Sequence, residues 1–312
     1  MPKRKRISNK NLFIATLVLL LLCLSIIFSY SDNPNIPTWN DIYNYLNIST
    51  GTVDVDYENY PLSVHILNVG KADAIYIKSN DKNILIDAGD TDTKEQVIQY
   101  LNNNKIQKFD LIIATHPHKD HIAGMPNVIN AFPTDRFIMP KLPESIVPTT
   151  KTYMSMLKSL ESHNVMVESP IVGENFKIGE LNIDILGPVK EYENLNNNSV
   201  VAKLSYKNTS FLFVGDAEKE SEADLISSGV NLRSTVLKVG HHGSKTSTTQ
   251  EFLNAVKPEY SVISVGPDSN NLPKDSTINR LKKNNIKIYR TDESGTVIFV
   301  SDGNNVKAFT EK

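Results

Sequence analysis

Apolar and polar positions follow a regular pattern from Pro61 to the end of the chain, in which short apolar runs alternate with longer amphipathic stretches. The runs have the length and the β-branched composition of strands, and the stretches between them have the period of helices. Strands are predicted near 62–68, 73–79, 83–87, 110–115, 181–186, 199–207, 210–215, 233–239, 259–264 and 295–301, and helices near 92–104, 121–131, 149–163, 217–228, 247–256 and 275–285. This mixture predicts one layered α/β domain over residues 61–312.

The first thirty residues follow a different pattern. A basic head, residues 3–10, precedes an uncharged run of nineteen residues from Leu12 to Tyr30. At a helical rise of ~1.5 Å per residue the run spans ~28 Å, close to the thickness of a bilayer core. It is longer than the ~7–15 apolar residues of a signal peptide, so we predict an uncleaved membrane anchor over 1–30, with a cleaved signal peptide as the alternative.

The basic head also predicts the orientation of the chain. Positively charged flanks stay in the cytoplasm, which makes the protein a single-pass protein of the cell membrane with an extracellular C-terminal domain. The alternative is secretion after cleavage of the signal. Residues 31–60, in which Pro, Asn, Ser and acidic residues dominate, are predicted to be a linker.

Composition narrows the chemistry that the domain can perform. Cys23 is the single cysteine of the chain, which excludes a disulfide framework and a cysteine-based zinc site. Five of the 33 Lys and Arg residues and none of the 35 Asp and Glu residues precede residue 31, so the remainder carries a net charge of −7. A domain this acidic has no general electrostatic attraction for nucleic acid.

A cluster of metal-binding residue types follows the apolar strand near 110–115. Three imidazoles and one carboxylate occur within six residues, at His116, His118, Asp120 and His121. These side chains suit Zn²⁺, Mn²⁺ or Fe. His116 and His118 can bind one ion together on an extended or turning backbone. Asp120 and His121, at the turn into the next helix, can face a second ion.

Two further motifs follow apolar strands in the second half of the domain. His241 and His242 lie between Gly240 and Gly243, which allow the backbone to come close to a ligand. Asp216 ends another apolar strand, where it can cap the next helix or bridge two ions through its two oxygens.

Together these motifs resemble the metallo-β-lactamase superfamily, and more narrowly the hydrolase domain of ComEC-type DNA-uptake proteins and their stand-alone relatives. The resemblance extends over roughly residues 61–300 and includes the segments 67–74, 86–89, 196–199, 214–218, 238–244 and 289–295. It implies an αββα sandwich with the site along one edge of the two sheets. It also implies two divalent metal ions, Zn or Mn.

The resemblance assigns roles to particular residues. His116, His118 and one of the pair His241/His242 would join Asp216 at the first metal, and we expect His241 to be that ligand. Asp120, His121 and Asp216 would hold the second metal, with Asp120 and His242 also acting in catalysis. Asp87 would support the ligands from behind, and one residue of the segment Asn197 to Ser199, with Asn198 and Ser199 as our candidates, would face the substrate or the metal water. Independently of the resemblance, we expect Ser244 to contact a phosphate or oxyanion of the substrate.

Three departures from the ComEC-like pattern concern the surroundings of the site. Asn68, Lys71 and Ala72 replace the residues usual in the first loop, and the stretch 269–273 lacks a Gly-His-Pro motif. The multi-span channel is absent, since the chain has one long apolar segment. DNA transport is therefore not predicted.

The predicted activity is metal-assisted hydrolysis outside the cytoplasm. Two ions would lower the pKa of a water toward ~7 and supply hydroxide, and Asp120 would orient that water or accept its proton. A phosphodiesterase or nuclease is the first hypothesis, with DNA as one candidate substrate. The alternatives are hydrolysis of cell-envelope phosphoesters, hydrolysis of small amides, lactones or β-lactams, and a non-catalytic binding protein. No obligate protein partner is inferred.

Overall fold

The described part of the chain is built on two β-sheets, each covered by helices on its outer face. The computed structural model describes residues 57–312. Its strands are β1 (Leu62–Ile66), β2 (Ala74–Ser79), β3 (Lys82–Ala88), β4 (Leu111–Ile113), β5 (Phe137–Ile138), β6 (Val167–Glu168), β7 (Asn175–Ile178), β8 (Leu181–Gly187), β9 (Val201–Tyr206), β10 (Thr209–Phe213), β11 (Val236–Lys238), β12 (Tyr260–Ile263), β13 (Lys287–Arg290), β14 (Val297–Ser301) and β15 (Val306–Thr310).

The helices lie between these strands. They are α1 (Lys94–Asn103), α2 (Lys119–Ile122), α3 (Met125–Ala131), α4 (Lys151–Ser162), α5 (Lys219–Ser227), α6 (Gln250–Val256), α7 (Asp275–Lys283) and α8 (Thr291–Ser294). Thr150 and Thr249 cap α4 and α6 by accepting hydrogen bonds from backbone N–H groups in the first turn.

The two sheets share one organisation, in which an antiparallel half adjoins a parallel half. The first has the strand order β15-β14-β1-β2-β3-β4-β5-β6, and the second has the order β13-β12-β11-β10-β9-β8-β7. In each sheet one half is antiparallel and the other is parallel, from β3 to β6 and from β10 to β13. The C-terminal hairpin returns to the first sheet, where β14 pairs with β1.

Strand alternation divides the core into three layers. Ile84 and Ile86 of β3 face the layer between the sheets, whereas Leu85 faces the helices on the outer side. In the second sheet Phe211 faces the middle layer and Leu212 faces the outer helices. This period of two buries both faces of each sheet, and it produces the predicted αββα sandwich.

The predicted helix over 121–131 is broken into α2 and α3. A side chain on Gly124 would place its Cβ 2.0 Å from the carbonyl oxygen of Ala88, so the chain turns where it touches the end of β3. Pro126 then lies in the first turn of α3. The break keeps α2 beside the end of β3.

The predicted anchor over 1–30 and nearly all of the predicted linker lie outside the described residues. Within residues 57–312, no helix combines the length and the hydropathy that a membrane span needs.

Candidate metal centre

The predicted site residues lie on segments that leave the carboxyl ends of strands. Strand β4 leads into the loop 114–118 and α2, and these carry His116, His118, Asp120 and His121. In the second sheet β10 leads to Asp216, and β11 leads to the 3-10 turn Gly240–Gly243. The site therefore joins the two sheets, as is common for sites built where parallel strands end.

Asp216 lies between the histidines, and its two oxygens face different neighbours. Its Oδ2 is 3.8 Å from His116 Nε2 and 3.8 Å from His241 Nε2. His118 belongs to the same group, because its Nδ1 is 2.9 Å from His116 Nε2. We call His116, His118 and His241 the first cluster.

The other oxygen of Asp216 faces a second group. Its Oδ1 is 3.5 Å from His121 Nε2 and 3.8 Å from His242 Nε2. Asp120 completes this group, with its Oδ2 3.5 Å from His242 Nε2. We call Asp120, His121 and His242 the second cluster. The adjacent histidines thus lie in different clusters, and His242, predicted as catalytic, has the position of a second-cluster ligand.

The unpaired atoms of the site suit cations. Three buried atoms at the meeting point of the clusters have no hydrogen-bond partner within residues 57–312, namely Asp216 Oδ1, His121 Nε2 and His242 Nε2. Leaving such atoms unpaired in the interior costs about 1–3 kcal/mol each. Two sets of donor atoms, from His116, His121 and Asp216 and from Asp120, His121 and His242, each lie within 4.8 Å of one another. The residues fit divalent metal ions by both their chemistry and their placement.

Backbone conformation separates the adjacent histidines. His241 and His242 have φ values of 49° and 51°, in the left-handed region that few non-glycine residues adopt. Gly243 follows with φ 79°, and a Cβ there would lie 2.5 Å from Pro273. Such strain is typical of functional sites, and here it directs neighbouring imidazoles to opposite sides of Asp216.

Asp87 supports the second cluster from behind. Its carboxylate accepts hydrogen bonds from His121 Nδ1 at 2.7 Å and from the backbone N and Oγ1 of Thr115 at 2.8 and 2.7 Å. His242 Nδ1 donates to the carbonyl oxygen of Ser264 at 2.9 Å. These bonds leave both Nε2 atoms free to face Asp216, the arrangement by which outer partners orient histidine ligands.

Glu218 has the corresponding place behind the first cluster. Its Oε1 is 3.2 Å from His241 Nδ1 and accepts a hydrogen bond from Thr246 Oγ1 at 2.8 Å. Asn194 donates to its Oε2 at 3.2 Å. The sequence predicted no role for Glu218, whose one signal is a carboxylate two positions after Asp216.

A buried ion pair lies beneath the second cluster. Lys238 Nζ is 2.9 Å from Asp73 Oδ2, and each side chain is only 1% exposed. Asp73 Oδ1 is 3.8 Å from His242 Nδ1, and Asp73 Oδ2 is 4.0 Å from His121 Nδ1. The sequence did not predict this pair, whose one signal is a lysine at the end of an otherwise apolar strand.

Electrostatics differ between the histidines. Burial, with the neighbouring His121 imidazole, lowers the pKa of His116 well below its ordinary value, and burial lowers that of His118. Burial also opposes protonation of His121, but Asp216 and Asp87 outweigh it and raise the pKa of His121 well above the ordinary value. Since a histidine must be neutral at the nitrogen that binds a cation, metal binding at the second cluster would displace a proton from His121.

The predicted substrate contacts lie behind or beside the site. Asn198 is buried, and its amide donates to the carbonyl oxygens of Tyr192 and Asn194, so it shapes its own loop. Ser199 Oγ accepts a hydrogen bond from the backbone N of Asp216 at 3.1 Å and orients that residue. Neither placement supports the predicted contact with a substrate. Ser244 Oγ pairs with Thr246 Oγ1 at 3.0 Å, in the loop that follows His242.

Comparison with known proteins identifies the family. Residues 67–266 match the model of the metallo-beta-lactamase superfamily. The chain is 27% identical over 254 residues to ComE operon protein 3 of Bacillus subtilis, covering 75% of this chain and 32% of that protein. It is 27% identical over 251 residues to competence protein ComA of Neisseria gonorrhoeae, covering 79% and 33%. Recombination protein 2 of Haemophilus influenzae is 29% identical over 241 residues, covering 75% and 28%.

The chain thus spans about a third of the length of these curated relatives. Among solved structures, the metallo-beta-lactamase fold protein YhfI from Bacillus subtilis matches with a TM-score of 0.50 and 11% identity, covering 76% of this chain and 98% of that one. The diiron β-hydroxylase CmlA from Streptomyces venezuelae matches with a TM-score of 0.53 and 12% identity, covering 89% and 62%. These two likenesses establish the fold alone.

Proposed function

The chain belongs to the metallo-β-lactamase superfamily and is homologous to the ComEC-type competence proteins, and on that premise we propose that it is a phosphodiesterase with two divalent ions. The observation that carries the proposal is the placement of Asp216, one oxygen of which faces each cluster. A carboxylate shared in this way is the usual bridge of a two-metal site.

The protein residues would divide the work between binding and proton transfer. His116, His118 and His241 would hold one ion, Asp120, His121 and His242 the other, and Asp216 both. Bound there, Zn²⁺ or Mn²⁺ would supply Lewis acidity and a nucleophile at neutral pH. Asp120 is the more exposed carboxylate of the site, with 17% of its side chain exposed against 3% for Asp216, so it is placed to orient a water and accept its proton.

The charge balance of the site favours an anionic substrate. Five carboxylates, Asp73, Asp87, Asp120, Asp216 and Glu218, lie close to two ammonium groups, those of Lys71 and Lys238. Two divalent ions would turn this excess of three negative charges into an excess of one positive charge. That positive charge would attract an anionic phosphodiester, whereas a neutral lactone would gain no such attraction.

Two sources of phosphodiester fit this site. Relatives named for competence and recombination favour DNA. The net charge of −7 beyond residue 30 opposes binding of a long polyanion, so a short or zwitterionic cell-envelope phosphoester is the second candidate. We place the domain outside the cytoplasm, held at the membrane by residues 1–30, where both substrates would be accessible.

Hydrolysis by the full chain, purified in detergent and loaded with Zn²⁺ or Mn²⁺, tests the proposal. Single-stranded DNA and bis(p-nitrophenyl) phosphate would be offered beside p-nitrophenyl acetate, with Asp216→Asn as the matched inactive variant. We expect metal-dependent cleavage of a phosphodiester that the variant lacks. Cleavage of the acetate alone, or equal cleavage by Asp216→Asn, would refute a phosphodiesterase at this site.

A further inference from the structure

Lys71 occupies the open side of the second cluster. Its Nζ is 2.8 Å from Asp120 Oδ2, and 26% of the lysine side chain is exposed. The same carboxylate oxygen is 3.5 Å from His242 Nε2. The ammonium group therefore shares an oxygen with the proposed second metal position, and it approaches that oxygen from the solvent side.

The backbone holds Lys71 in this place. The loop 67–73 is joined to α2 by a hydrogen bond from the backbone N of Asp73 to the carbonyl oxygen of Asp120, at 3.0 Å. On its other side, a Cβ on Gly266 would lie 2.6 Å from Gly70 Cα, so only glycine permits this approach of the two loops. A side chain on a loop clamped at both sides loses less freedom when it binds a ligand than one on a mobile loop.

A pocket opens directly from this ammonium group. It has a volume of about 460 Å³, and its charged lining residues are the ammonium groups of Lys71 and Lys119 and the carboxylates of Asp90, Asp92 and Asp120. Lys119 is half of an ion pair with Asp90, whose Oδ1 lies 2.7 Å from its Nζ. Of the two lysines in the pocket, Lys71 is the one whose carboxylate partner is also a proposed metal ligand.

We infer that Lys71 is a specificity-determining residue that binds an anionic oxygen of the phosphodiester. The inference rests on the proposed function for the identity of the substrate. Once a divalent ion shares the charge of Asp120, the half-buried ammonium of Lys71 loses part of its counter-charge, which is unfavourable away from bulk water. A phosphoryl oxygen in the pocket supplies that charge, whereas a neutral ester does not. Lys71 thus favours anionic over neutral substrates.

Binding of inorganic phosphate to the metal-loaded full chain tests this directly. We expect Lys71→Gln, which keeps a hydrogen-bond donor but removes the charge, to raise the phosphate Kd at least about tenfold, because charge-assisted hydrogen bonds are roughly twice as strong as neutral ones. Lys71→Arg should recover most of the affinity. Lys119→Gln is the matched control, with the same loss of charge in the same pocket, and should change the Kd less than about twofold.

Substrate selection provides the second measurement. In Lys71→Gln the ratio of kcat/KM for bis(p-nitrophenyl) phosphate to that for p-nitrophenyl acetate should fall about tenfold, mainly through KM for the diester. A metal titration of the same variant accompanies it. Unchanged phosphate affinity would overturn the inference, and so would equal weakening by Lys119→Gln. Tighter binding of the second ion with unchanged phosphate affinity would show that Lys71 only competes with the metal, and it too would overturn the inference.

These outcomes separate the inference from the proposed function. A wild-type protein that binds phosphate through Lys71 but cleaves no phosphodiester would retain the anion contact and refute the phosphodiesterase. If the wild-type protein cleaves diesters and Lys71→Gln cleaves them with the same selectivity, the phosphodiesterase stands and the inference about Lys71 is refuted.

Discussion

The first and second clusters share Asp216 but differ in what lies behind them. Behind the second cluster lie buried charges, with Asp87 bonded to His121 and the Asp73–Lys238 pair close to His121 and His242. Behind the first cluster lies Glu218, with 18% of its side chain exposed, and the His241 that it contacts is 23% exposed. The second cluster is thus backed by buried charges, whereas the carboxylate behind the first cluster is partly exposed to solvent.

This difference implies that the two positions respond differently to change. Removing a buried charge leaves its partner unpaired in a medium of low dielectric, whereas water compensates for much of the loss at an exposed position. The second cluster should therefore couple metal binding to the stability of the fold, and the first should tune metal affinity with little effect on folding.

The largest effect is expected from Asp216→Asn, which would damage both clusters together. The amide cannot serve two cations with two anionic oxygens, so we expect bound metal to fall well below that of the wild type and kcat/KM to fall at least about a thousandfold, since metal ions contribute several kcal/mol to such reactions. Metal analysis and steady-state kinetics measure both. Retention of two ions and a loss of less than tenfold would contradict a shared carboxylate.

Lys238→Met tests the buried charges beneath the second cluster alone. It leaves Asp73 unpaired in the interior, and we expect the free energy of unfolding to fall by about 3–5 kcal/mol. Urea denaturation of the metal-free protein measures it. The double variant Asp73→Asn/Lys238→Met should recover part of the loss. At the first cluster, Glu218→Gln should lower the free energy of unfolding by less than about 1 kcal/mol, because the Glu218 carboxylate is partly exposed. Equal losses would remove the distinction between the clusters.

Asp87→Asn and Glu218→Gln compare the two supporting carboxylates by metal affinity. Outer partners of histidine ligands typically contribute 10- to 100-fold in affinity. We expect Asp87→Asn to weaken one ion by about 100-fold and Glu218→Gln to weaken the other by about 10-fold. Calorimetric titration that resolves two binding events measures both, and weakening of the same event by both variants would show that the assignment to separate clusters is wrong.

His65 gives an effect that depends on pH, and it contrasts with His121. It is fully buried, with Ser63 Oγ at 2.8 Å and Tyr100 Oη at 2.7 Å as neutral partners, and burial together with Lys78 lowers its pKa to about 3. The unfolded chain binds a proton below its ordinary value of 6.5, and the folded protein does not until about 3. Stability from neutral His65 is therefore complete above pH 6.5 and is lost as the pH falls toward 3, by up to about 1.4 kcal/mol per pH unit.

Urea denaturation between pH 7 and pH 4 measures this dependence. His65→Gln cannot bind a proton at this position. It should therefore reduce the slope of unfolding free energy against pH by about 1.4 kcal/mol per pH unit, while the contribution of the site residues remains. An identical slope in the variant would show that His65 is not a source of acid sensitivity.

Local pattern was sufficient to predict most of the fold. The strands from β1 to β4 and from β8 to β12 carry apolar runs of recognisable length, and each was predicted within a few residues. The short strands β5 and β6 were missed, since two residues show no period. Strands β7, β13 and β15 were missed because they are partly exposed and belong to sheet margins, where packing across the sheet decides their pairing.

The composition of the site could be predicted, but its internal arrangement could not. His116 to His121 are close together in sequence, so their convergence follows from one strand and one turn. His241 and His242 lie in different clusters because both adopt the left-handed backbone conformation, and no pattern of side chains predicts that conformation. The Asp73–Lys238 pair joins distant parts of the chain, and the inward placement of Asn198 depends on contacts with Tyr192 that only the folded loop shows.

The pairing of β1 with β14 affects the order in which the protein is assembled. Leu62 is opposite Ser301 in that pair, so β1 can pair early with β2 but lacks its second neighbour until nearly the whole domain has been synthesised. Contacts between such distant positions slow folding, and until then β1 exposes an edge that can aggregate. The segments that carry the proposed ligands all precede β14. A metal ion could therefore bind the proposed ligands before β14 has paired with β1. Metal supply during synthesis would then influence the yield of folded protein.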